Sequence, residues 1–128
     1  MDTTTPSQIQ LHKKSKTLEL QFGDTRHHLS AEFLRVNSPS AEVQGHGPGQ
    51  AVLQYGKAQV GIDKLEATGN YGIRIYFDDG HNTGIYSWEL LKQFCENHDT
   101  MMAQYETALH QAGKSRQPDA QVLHFPPA

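Results

Sequence analysis

Between Gly72 and Leu91 the hydrophobic period changes from that of a strand to that of a helix, with an acidic turn separating the two. Ile73, Ile75 and Phe77 alternate with Arg74 and Tyr76, the period of a half-buried strand. That alternation stops at Asp78-Asp79-Gly80, whose carboxylates can bond to local backbone and whose glycine tolerates positive φ. From Trp88 onward Leu91, Phe94 and Cys95 share one helical face while Glu89, Lys92 and Glu96 lie elsewhere, and Ser87 is a favourable N-cap. His81 is thus left at the strand-to-helix turn beside two carboxylates, where it is expected to be surface-accessible with raised proton affinity.

The first two-thirds of the chain reads as antiparallel strands. Ile9 and Leu11, then Leu18, Leu20 and Phe22, form an opening hairpin around Lys13-Lys14-Ser15-Lys16, and Arg26 to Leu29 suits a short third strand. Ser30 caps a short helix carrying Phe33 and Leu34, which Pro39 should end near Asn37. Pro39 to Gly56, with Gly45-His46-Gly47-Pro48-Gly49, reads as a long loop, a second place to look for a site. Val60 to Thr68 changes phase near Asp63, the sign of a bulge, and Gly69-Asn70 closes it into a hairpin with Gly72 to Asp78.

The expected fold is α+β: a twisted antiparallel sheet with a short helix and C-terminal helical segments packed against it, and Trp88 largely buried. Asn97 or Asp99 is expected to cap a second helix after a break near His98, ending at Gly113. Residues 1–7 are read as a flexible N-terminus, 8–113 as the domain, and 114–128 as a disordered tail whose Val122, Leu123 and Phe125 are too few to offset ordering, so that its removal would be nearly silent.

Composition narrows the function. A net charge of −3 provides no cationic field for a phosphate backbone, so nucleic acid is not an expected partner. The residues from Met1 to Pro6 lack the basic and apolar segments of a signal peptide and no stretch reaches membrane-spanning length, and the single cysteine, Cys95, cannot form an intrachain disulfide; a cytoplasmic protein is expected. Cys95 reads as a buried, inert thiol. The chain has no Gly-x-Ser-x-Gly elbow, no phosphate loop and no His-Glu-x-x-His. Gly45-x-Gly47-x-Gly49 does not match the dinucleotide fingerprint, and His27-His28 in a strand point to opposite faces.

Phe77-Asp78-Asp79-Gly80-His81 and Gly84-Ile85-Tyr86-Ser87-Trp88, preceded by Leu34-Arg35-Val36-Asn37-Ser38-Pro39-Ser40-Ala41-Glu42, resemble the gamma-butyrobetaine hydroxylase-like N-terminal domain family over roughly residues 7 to 98. In the carnitine-biosynthesis dioxygenases a similar domain precedes the catalytic one and holds a structural zinc through three cysteines and a histidine. Related domains are also fused to ATPases carrying iron–sulfur clusters. The resemblance places Ser38, Ser40 and Val43 where the zinc-binding relatives have cysteine, and His81 on the histidine.

Hydroxyls are poor zinc donors and valine is none, so that zinc site is expected to be absent. A different divalent-metal site is conceivable from His81, Asp79 and, across the glycine loop, His46, holding iron or zinc. The alternative is that the two aspartates cap the turn and the histidines bond to backbone or solvent. The favoured function is a non-catalytic accessory or protein-interaction domain without a cofactor. The competing one is a metal-binding protein associated with iron–sulfur assembly or with 2-oxoglutarate-dependent oxygenases.

Overall fold

The computed structural model describes residues 4–118 and 125. Strands β1 (Gln8–His12), β2 (Thr17–Phe22) and β3 (Thr25–Ser30) form one antiparallel meander, followed by α1 (Ala31–Val36) and the single-turn α2 (Ala41–Gln44). Strands β4 (Ile62–Thr68), β5 (Gly72–Phe77) and β6 (Ile85–Ser87) form a second meander, and α3 (Trp88–Ala112) follows. The architecture is the expected α+β, built on two three-stranded sheets where one sheet was anticipated. Both sheets, α1 and the first half of α3 bury their apolar faces in one core, from Leu18, Leu20 and Phe33 through Ile73, Ile75 and Tyr86 to Leu91 and Phe94. Phe33 meets Phe94 edge-on, with ring centroids 5.4 Å apart.

The local signals operate as chemistry requires. Ser30 Oγ accepts the Phe33 amide and Ser87 Oγ accepts that of Leu90, so α1 and α3 start where the serines stand. Asn37 closes α1 just before the Ser38-Pro39 bond. The β4–β5 register shifts between Ile62 and Lys64, the bulge read at Asp63. Gly113 ends α3 in the left-handed conformation at φ 68°.

Three expectations about the helical half and its neighbours are corrected. First, α3 runs unbroken for 25 residues through His98. Asn97 does not cap a new helix: its amide donates to the Gln93 carbonyl one turn back, while Met101, Met102, Tyr105 and Leu109 extend the apolar stripe. Second, Trp88 is only half-buried, because its indole reaches outward to donate to the Asn70 carbonyl at 2.8 Å. Tyr86, fully buried, is the aromatic that fills the centre. Third, the chain after Gly113 does not leave the fold at once.

Residues 114–118 cross the β4-side loop, where the amides of Gly56 and Ala58 donate to the Ser115 and Arg116 carbonyls. Arg116 grips the buried Glu32 carboxylate with two bonds, at 2.6 and 2.8 Å. The expected docking or disorder of Val122 and Leu123 lies outside the described residues, and Phe125 is 81% exposed. At the other end Ser7 already joins the first sheet, its amide donating to Gln21; residues 1–3 of the anticipated flexible terminus lie outside the description. No helix among the described residues is long and apolar enough to cross a membrane.

Candidate functional site

Two turns that follow apolar elements meet at the centre of the molecule. The first is Asn37 to Glu42, leaving α1; the second is Asp78 to Gly84, joining β5 to β6. Their polar side chains interlock. Ser38 is fully buried and its Oγ lies 2.8 Å from His81 Nε2, while His81 Nδ1 lies 3.1 Å from Glu42 Oε2. Ser40 Oγ and Thr83 Oγ1 are bonded at 2.6 Å, a second tie between the same two turns. Gly84 lets them close: a methyl group there would stand 2.5 Å from Ser38 Oγ and 3.3 Å from Pro39 Cδ.

His81 is therefore not on the surface; only 5% of it is exposed. Its proton affinity is lowered, against expectation, because burial and the nearby Arg35 guanidinium outweigh the Glu42 and Asp79 carboxylates. A carboxylate only accepts, so Nδ1 carries the proton and donates to Glu42, leaving Nε2 to accept the Ser38 hydroxyl. Ser38 Oγ in turn accepts the Ser40 amide at 3.2 Å. Among the described residues no buried side-chain nitrogen or oxygen lacks a partner.

Asp79 faces the other way. Its Oδ1 accepts the His81 amide at 3.1 Å, while its Oδ2 accepts from Arg35 Nε at 2.8 Å and Lys57 Nζ at 2.7 Å. Burial opposes ionisation, but these donors more than offset it and hold the carboxyl down to about 2. Arg35 Nη1 extends the network to Gln54 Oε1 in the long loop, and Tyr105 of α3 donates to the Gln54 carbonyl. The loop is thus stitched to both helices. His46 does not join: it is exposed, and it forms no convergent donor group with His81 and Asp79. Asp79 and His81 are brought together; His46 is not.

The donor set at this place does not suit zinc. The positions that the resemblance gives to cysteine hold two neutral hydroxyls and the hydrocarbon of Val43, and His81 Nε2 is bonded to one of those hydroxyls. In connectivity, Glu42, His81 and Ser38 match an acid–base–nucleophile relay. Their exposure does not, since the hydroxyl that would attack is sealed beneath Gly84 and Pro39. Cys95, expected to be buried, is only half-buried on α3, and burial and Glu96 push its thiol up to about 11, so it stays protonated at neutral pH. The resemblance already sets Ser38 and His81 at one place, but Glu42, 39 residues from His81, carries no local signal that would join it to them.

This fold and site define a small α+β domain in which two turns are joined by side-chain hydrogen bonds. The chain belongs to the gamma-butyrobetaine hydroxylase-like, N-terminal family, whose model matches residues 9–92. A protein whose solution structure was determined by NMR is 49% identical, with a TM-score of 0.85 over 97% of this chain and 98% of that one. A second NMR structure is 38% identical, with a TM-score of 0.77 over 99% and 96% of the two chains. A crystal structure of a DUF971-family protein with unknown function from Acidithiobacillus ferrooxidans is 32% identical, with a TM-score of 0.60 over 73% of this chain and 96% of that one. No curated protein matches the chain.

Proposed function

We propose that this domain is a non-catalytic accessory module that works through its surface, by binding another protein. The observation carrying this reading is where the two kinds of side chain lie. At the two turns Ser38 and His81 are buried and bonded to each other, with only Glu42 reaching the surface, whereas Val52 and Tyr55 are about half exposed, at 55% and 52%. Val52 also borders an open groove of about 340 Å³ between α1, the long loop and α3, to which Val36, Leu53, Met101 and Tyr105 contribute. Apolar side chains presented to water on a stitched loop suit recognition better than turnover. A reducing, cytoplasmic setting suits the unpaired Cys95.

The competing reading, a metal protein centred on His81, Asp79 and His46, has less support. Arg35 and Lys57 already hold the Asp79 oxygen that faces away from the His81 amide, and Ser38 and Glu42 engage both His81 nitrogens.

The test is a photo-crosslinking residue placed at Val52, and separately at Glu66 on the exposed face of β4, in cells that make the protein. A single discrete protein adduct from position 52 that is missing from position 66 is the expected result. No adduct at 52, or labelling of the native protein by a fluorophosphonate that Ser38→Ala abolishes, would overturn the proposal.

A further inference from the structure

On the far side of the first sheet, away from the two turns, three side chains converge that the function above does not use. Glu19 lies at the middle of the central strand β2. It pairs directly with His28 on β3, and with Gln10 on β1, so that His12, two residues further along β1, is its diagonal neighbour. All three side chains project from the same face, opposite to that carrying Leu18 and Leu20. His12 Nε2 lies 2.9 Å and His28 Nε2 3.1 Å from one and the same oxygen, Glu19 Oε1. The three are the one group of histidine, cysteine or acidic side chains among the described residues whose donor atoms all lie within 4.8 Å of one another.

We propose that His12 Nε2, His28 Nε2 and Glu19 Oε1 form a binding site for a divalent transition-metal ion. Ligands held about 2.0–2.2 Å from a common ion stand roughly 3 Å apart, which is the spacing from Oε1 to both nitrogens here. Two imidazoles and a carboxylate are the nitrogen and oxygen donors that zinc, nickel, copper and ferrous iron accept, and three ligands leave positions open to water. The scaffold is rigid where it matters. Glu19 is only 8% exposed, on a strand hydrogen-bonded along both edges, and its other oxygen is steadied by Arg26 Nε at 3.3 Å. The hydrogen bond from His12, then Arg26 and His28, keep the carboxyl below its usual range although burial opposes them, so the anionic ligand is present at neutral pH.

A carboxylate oxygen only accepts, so each Nε2–H donates to Glu19 Oε1. An ion needs Nε2 bare, so in the bound form each ring carries its proton on Nδ1, a tautomer change that can be read directly.

The experiment uses the full chain made without an affinity tag, titrated with Co²⁺ alone and then Zn²⁺ alone. Co²⁺ should give visible d–d absorption saturating at one equivalent, and Zn²⁺ should displace it. Long-range ¹⁵N–¹H spectra should show His12 and His28 changing to the Nδ1–H tautomer. H12Q, H28Q and E19Q should each weaken binding by about ten-fold or more, whereas H46Q should leave it unchanged. His28 is more than half exposed, so H28Q tests the site without threatening the fold, which circular dichroism verifies. Absence of a d–d band at millimolar Co²⁺, or an H28Q protein that binds as the native chain does, would overturn the proposal: the three side chains would then be a hydrogen-bonded patch of the sheet.

Discussion

Replacing His81 by alanine should lower stability by about 3–5 kcal/mol, read as a fall in the urea midpoint with the slope unchanged. Two losses add. A buried ring beside Phe77, 6.0 Å between centroids, leaves a cavity, and the fully buried Ser38 hydroxyl loses its acceptor, worth about 1–3 kcal/mol by itself. Glu42 contributes little to the penalty because its side chain is mostly exposed and returns to water. The same site sets a pH dependence. Because the folded-state proton affinity of His81 is depressed, the unfolded chain binds the proton more readily. Stability should be full above the ordinary histidine value of about 6.5 and decline as the pH falls from there through the folded value. Asp79 acts lower, its contribution present above about 3.8 and lost toward about 2. H81Q should flatten the upper window and leave the lower one.

A chain ending at Gly113 should lose about 2–4 kcal/mol, and Arg116→Ala about 2–3. Glu32 is buried at the start of α1, and Arg116 supplies its two strong bonds. Without them the carboxylate stays in the core uncompensated. The loss falls short of the largest known for buried pairs because the guanidinium is 41% exposed and screened by water. Truncation removes in addition the carbonyls that accept from Gly56 and Ala58. Thermal unfolding of the two variants checks both figures, and equal stability of R116A and the native chain would show the clamp to be a surface contact.

These two features mark where sequence reasoning reached its end. Strands, caps and the Asp63 bulge were legible because each depends on neighbours within a turn or a hairpin: Ser30, Ser87, Gly113 and the alternation of Ile73, Ile75 and Phe77 act locally. The clamp was not, since Glu32 and Arg116 are 84 residues apart and Arg116 sits in a stretch of tail-like composition. The same holds for His81. Its two neighbouring carboxylates suggested an accessible, basic imidazole, yet Asp79 is captured by Arg35, 44 residues away, and Lys57, 22 away. The uninterrupted α3 shows local signals overridden by packing, with Asn97 and Asp99 tolerated mid-helix because Tyr105 and Leu109 have an apolar partner in Val36.

The His12, Glu19 and His28 group was within reach. A hairpin turning at Lys14-Ser15 and another at Gly23-Asp24 put those three on one face by strand parity alone, but the register of both hairpins had to be fixed first.

A neutral, inward-facing His81 ties the two turns together. The most direct measurement is the long-range ¹⁵N–¹H spectrum of the His81 ring between pH 8 and pH 5. The account predicts a protonated Nδ1 bonded to Glu42, an unprotonated Nε2 that accepts from Ser38, a titration displaced below the ordinary value of about 6.5, and no response of these signals to added zinc. A ring that titrates at or above that value, or one whose signals move when zinc is added, would contradict it.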